Sequence, residues 1–313
     1  MTNCVAIALN FAIPRFFWPY FAGFAVIVIG VAAAMRDNGK SNSAMERLLG
    51  SGPLFFAFAM AVFGADHFIA AKFVATIVPS WIPWHLFWAY FVGTALIAGA
   101  LGLASNKLAG AAAMWLGIMI FLFVLTIHLP GFFKGRFENA RVTLLFRDLA
   151  LSCGAIAFAS SRETGNRFTD GLIVAARIAV GATLLIFGVD HFLNPAVAPG
   201  IPQDNPALAL AMPAWVPAHA AWAYATGSIF IVCGLALVIG KRARSAAITV
   251  ALTTLVLILF AYLPLTVSKP TDIDDGLNYL AIHFALAGAA LMLASALPKH
   301  VAQHANAAAV TEG

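Results

Sequence analysis

The chain of 313 residues is 62% hydrophobic and 10% charged, with a mean hydropathy of +0.91. A soluble globular domain carries roughly 25% charged residues, so this composition excludes a water-soluble fold and describes a chain made for lipid. The net charge of +5 comes mostly from loop arginine and lysine, which reads as membrane topology rather than nucleic-acid binding. Cys4, Cys153 and Cys233 share no spacing, so neither a disulfide framework nor a CxxC motif is expected. The chain has no Walker motif, no GxGxxG and no nucleophile elbow, which argues against nucleotide-driven or hydrolytic chemistry.

A bilayer core of about 30 Å needs about 20 apolar residues per helix. Nine stretches meet that length, near 17–35, 51–72, 86–104, 109–129, 143–160, 172–192, 219–240, 245–265 and 278–297. Period-2 alternation is absent, and every span must satisfy its own backbone, so helices are expected throughout. The predicted fold is an all-α membrane protein: one N-terminal span followed by two tandem, parallel four-helix transmembrane bundles. Residues 1–46 would hold the first span and its cytoplasmic loop. Residues 47–161 would form the first unit, 162–298 the second, and 299–313 a disordered cytoplasmic tail.

Positive charge sets the direction. Arg36, Lys40 and Arg47 lie in the first connection, Arg162 and Arg167 in the fifth, and Lys241, Arg242 and Arg244 in the seventh. This puts the N-terminus outside and the C-terminus in the cytoplasm of a bacterial inner membrane. No removable signal peptide is expected. Lys134, Arg136 and Arg141 dissent, on a connection that should be external.

Taken in order, the spans carry the same polar elements twice. Span two ends in Phe63-Gly64-Ala65-Asp66-His67-Phe68, and span six in Phe187-Gly188-Val189-Asp190-His191-Phe192, an offset of 124. Trp81-Ile82-Pro83-Trp84-His85 with Trp88, Tyr90 and Gly93 opens span three. Trp215-Val216-Pro217-Ala218-His219 with Trp222, Tyr224 and Gly227 opens span seven, an offset of 134. His128-Leu129-Pro130 closes span four and Tyr262-Leu263-Pro264 closes span eight. Asp148 in span five has His283 as its approximate counterpart in span nine, both expected within one or two turns of the outer surface. The offset grows by ten between the first two elements, which marks an insertion in the second unit around Pro202-Gln203-Asp204-Asn205-Pro206.

An ionisable residue inside a membrane is a functional-site hypothesis by default. Each unit would converge its set on a pocket near the outer surface: Asp66, His67, His85, His128 and Asp148 in the first, Asp190, His191, His219, Tyr262 and His283 in the second. Trp81, Trp88, Tyr90, Trp215, Trp222 and Tyr224 would line them. Imidazole and carboxylate suit a transition metal, with His67, His85, His191 and His219 as candidate ligands, or proton exchange with a quinone head group. The alternative is structural, with Asp-His pairs tying helices together and the aromatics forming an interfacial belt. An Asp near a helix C-terminus opposes the macrodipole, so its recurrence calls for a partner in both copies. Arg147 and Asp148 are adjacent and should find more distant partners, Arg177 should snorkel, and the span glycines should permit close packing.

These elements resemble the DoxX/DoxD-like membrane proteins: four-span bundles with a Gly-x-x-His-Phe-like element in the first span, a Pro-containing connection, and a Gly-rich second span ending in basic residues. The matching pieces are Phe63 to Phe68, Pro83 to Gly102 with Lys107, Phe187 to Phe192, and Pro217 to Gly240 with Lys241-Arg242. The resemblance covers spans two to nine and implies association with membrane redox complexes such as thiosulfate:quinone oxidoreductases. The Glu often found in the second span of such proteins is absent, where this chain reads Gly93-Thr94-Ala95-Leu96 and Gly227-Ser228-Ile229-Phe230. The expected partners are therefore the lipid bilayer and membrane redox subunits, without nucleic acid or nucleotide. A solute carrier and a non-catalytic assembly factor are the alternatives. A carrier would need polar residues in the cytoplasmic halves of the spans, which are almost wholly Ala, Leu, Ile, Val, Phe and Gly.

Overall fold

In lipid an unpaired backbone amide has no water to turn to, so each apolar run closes its own hydrogen bonds as a helix. The computed structural model describes residues 14–36, 43–134, 139–163, 167–196, 198–202 and 218–298. It contains α1 (Trp18–Arg36), α2 (Ala44–Ile69), the short α3 (Ala71–Ile77), α4 (His85–Ala104), α5 (Ala109–Phe123), α6 (Leu129–Lys134) and α7 (Asn139–Ser160). It continues with α8 (Arg167–Leu193), α9 (His219–Ile239), α10 (Ala243–Leu257), α11 (Leu263–Ser268) and α12 (Asn278–Ala296). Among the described residues nine helical spans are long and apolar enough to cross a membrane, in agreement with the nine predicted. The tail at 299–313 and the core of the insertion at 203–206 lie outside the described residues.

Two spans depart from a plain α-helix at matching places. A π turn at Val124–His128 joins α5 to α6, and another at Ile258–Tyr262 joins α10 to α11. Each precedes Leu-Pro. Proline has no N–H to give the carbonyl four residues back, and just ahead of it the register widens to i→i+5. The Leu129 N–H accordingly reaches back to Val124 O, and Leu263 N–H to Ile258 O.

The repeated glycines form helix crossings. A Cβ built on Gly64 would lie 2.9 Å from Gly93 O, and one on Gly188 would lie 2.9 Å from Gly227 O. The glycine of the Asp-His element on α2 or α8 thus packs on the glycine of the next span, α4 or α9. Arg177 does not snorkel. Its guanidinium donates to the carbonyls of Leu237 and Val238 and caps the C-terminus of α9, where unpaired carbonyls and the negative end of the dipole favour a cation.

Neighbouring helices follow one another in the order α2, α4, α5, α7, α8, α9, α10, α12, and α12 packs back on α2. α1 lies outside this circuit against α2 and α4. The order of contacts in the first unit (α2 to α7) is the same as in the second (α8 to α12). A contact between α7 and α12, with Gly154 against Ala289, divides the circuit into two cells. Each cell is therefore completed by the last helix of the other unit.

Candidate functional site

The first cell holds a cavity of about 520 Å³. Its apolar wall comes from α2, α4, α5 and α7, including Phe63, Leu96, Phe123 and Leu151, and α3 folds over it with Phe73 and Ile77. Asp66, His67, Arg147 and Asp148 form its polar end, joined by Asp274 and Asn278 from the second unit.

The polar groups are held in defined states. His67 Nδ1 lies 2.7 Å from Phe63 O. A carbonyl can only accept, so Nδ1 carries a proton, and in the neutral imidazole Nε2 is an acceptor; Nε2 has no hydrogen bond among the described residues. Asn278 Nδ2 donates to Asp66 Oδ2 at 3.2 Å, which supplies the partner that the position of Asp66 near a helix C-terminus demands. Asp148 is only 8% exposed. Its Oδ1 accepts from Arg147 Nε at 2.7 Å and its Oδ2 from His128 Nε2 at 2.9 Å. Arg147 therefore does pair with its chain neighbour, contrary to expectation: its long arm curls back beside the cavity, whereas the short carboxylate also takes the more distant His128. Asp148 lies nine residues beyond the start of α7 at Asn139, about two and a half turns at 3.6 residues per turn.

The second cell is filled by the chain itself. Residues 198–202, on the connection after α8, are buried inside it. Gly200 N–H donates to His191 Nε2 at 3.0 Å, Ile201 N–H points to His283 Nε2 at 3.3 Å, and Tyr262 donates its hydroxyl to Pro199 O at 2.6 Å. His191 and His283 both turn Nδ1 to their own helix, at Phe187 O and Tyr279 O. The Tyr262 ring stacks on His283 with centroids 3.6 Å apart.

The remaining predicted residues lie away from both centres. His85 begins α4, half-buried, and does not line the cavity. Trp81 is 71% exposed, Trp88 donates its indole N–H to Pro83 O, and Tyr90 packs on Phe68. Tyr224 packs on Phe192 and Trp222 on Phe260. Asp190 accepts from Asn194 at the end of α8. Trp215 and the side chain of His219 lie outside the described residues. No three His, Cys, Asp or Glu side chains among the described residues come together as a metal site. Sequence reading missed the contribution of Asp274 and Asn278 to the first cell; the polar start of span nine is the signal that could have pointed there.

The DoxX family model matches residues 172–263, from α8 to the start of α11. Over those residues the chain is similar to the DoxX family. Its multi-pass character follows from that match together with the nine apolar helical spans. No curated protein and no solved structure matches the chain.

Proposed function

We propose that the first cell binds the head group of a quinone and that the chain serves as a membrane subunit of a redox complex. The observation that carries this reading is that an unengaged His67 Nε2 shares one apolar-walled cavity with a carboxylate, Asp148, held by hydrogen bonds from Arg147 and His128. Ligand pockets of about 300–1,000 Å³ with apolar walls and a few placed polar groups are the usual form of a small-molecule site. The residues suit the two redox forms of a quinone: Phe63, Phe123 and Leu96 would give a ring and its tail an apolar wall, the remaining N–H groups of Arg147 would donate to a ring oxygen, and His67 and Asp66 would accept from a ring hydroxyl. A bound quinone supplies two-electron, two-proton chemistry, with the electrons coming from a redox partner subunit. The chain's own part is to orient the ring, exclude water and hold or release a proton at His67 Nε2.

The two units are read as tandem copies, and the charge distribution supports reading the cavity as extracytoplasmic in a bacterial inner membrane. A carrier finds less support, because Phe56 and Leu291, both fully buried, stand in the packed core that continues the spans beyond the cavity. Solvent extraction of the purified protein tests the proposal. Quinone identified by its absorbance change on reduction should be present in the wild type and depleted in His67→Ala. Absence of quinone from wild-type protein purified in mild detergent, and failure to take up added quinone, would reject it.

A further inference from the structure

The connection that fills the second cell reports on the ligand of the first. Three of the residues it touches correspond to residues that line the open cavity; a fourth, Tyr262, corresponds to His128, which does not line it but hydrogen-bonds to Asp148. His191 corresponds to His67 at the offset of 124, Leu257 to Phe123 at 134, and His283 to Asp148 at 135. A Cβ built on Gly200 would meet His283 Nε2 at 2.6 Å and Leu257 Cδ1 at 3.1 Å, so the backbone itself sits where those three side chains converge. At the same offset of 124, the first unit has α3 at 71–77, folded as a helical cover that leaves its cell open.

We infer that residues 198–202 occupy, in the second cell, the position that a ligand head takes in the first, and that this head is a hydrogen-bond donor. In the second cell the segment presents two N–H donors, from Gly200 and Ile201, to imidazole acceptors. The corresponding groups of the first cell, His67 Nε2 and the Asp148 carboxylate, are acceptors too, and Asp66 adds another carboxylate at the same end. A head that only accepts would face acceptors at all three places and would depend for donors on Arg147, Asn278 and Tyr279. A ring with two hydroxyl groups satisfies His67 and Asp148 together, and its apolar substituent lies against Phe123 and Leu96. Resting on the quinone reading above, this makes the reduced form, the hydroquinone, the preferred ligand. Each chain takes one, since the second cell is already occupied by its own backbone.

The test is an anaerobic titration of the full-length protein in detergent with decyl-benzoquinone and, separately, with its hydroquinone, read by intrinsic tryptophan fluorescence. The expected result is hydroquinone binding at least about tenfold tighter than the quinone, at one per chain. This corresponds to one or two additional net hydrogen bonds. His67→Ala should bring the two affinities close together. Equal affinities, or a tighter quinone, would overturn the donor inference while leaving quinone binding in place. Two molecules per chain would overturn the assignment of residues 198–202 as the occupant. Binding of neither form would reject the quinone reading itself. The wild-type ratio decides the matter even if His67→Ala does not fold.

Discussion

His67 and His191 make the same hydrogen bond to their own helix and differ in what meets Nε2: a cavity in one, the Gly200 amide in the other. Residue chemistry alone does not separate them; the neighbouring connection does. Asp148 shows the cost of burying charge. Removing the carboxylate leaves Arg147 beside the cavity without its partner, and breaking a buried pair in this way costs about 3–5 kcal/mol. Asp148→Ala should therefore lower thermal stability strongly, whereas Asp148→Asn, which retains an acceptor oxygen, should lower it less. Differential scanning fluorimetry in detergent would order the two. Gly93→Ala should also destabilise, by about 1–3 kcal/mol, because the added Cβ would stand 2.8 Å from His67 Cβ at the α2–α4 crossing. Gly171→Ala in α8 meets nothing within 4 Å and should be neutral or slightly stabilising, which makes it the control.

At the scale of elements, the nine spans were legible because apolar length is a strong signal. The Gly64–Gly93 and Gly188–Gly227 crossings lay within the repeated motifs themselves. The π turns were less legible. Leu-Pro marks their place, but the hydrogen-bond register depends on backbone geometry that no residue pattern states. The site was half legible. Asp66, His67 and Asp148 do share one cavity, yet His85 begins a helix and Trp81 and Trp84 lie on exposed faces. The entry of residues 198–202 into the second cell could not be read, because a short irregular segment has no periodicity to say which way it turns. The π turn at Val124–His128 sets how His128 addresses Asp148. Deleting Leu125 should convert it to an α-turn and rotate α5 by about 100° relative to α6. The His128–Asp148 bond should then be lost, and quinone retention by the purified variant should fall with it. Arg177→Met should uncap α9 and cost about 1 kcal/mol or more, visible as earlier unfolding.

At the scale of the whole molecule, the α7–α12 contact means that neither unit closes its cell alone. A cavity built from α2, α4, α5 and α7 still depends on Asn278 and Asp274 of the second unit. The two cells, which carry matching sequence elements, hold different things, a cavity in one and the chain's own backbone in the other. The most direct test of that division compares His67→Ala with His191→Ala in both quinone binding and unfolding temperature. His67→Ala should bind hydroquinone much more weakly and nearly keep its unfolding temperature. His191→Ala should keep binding and lose about 1–3 kcal/mol of stability, since it strands the buried Gly200 amide. Equal loss of binding in the two variants, or a lower unfolding temperature for His67→Ala than for His191→Ala, would contradict the division.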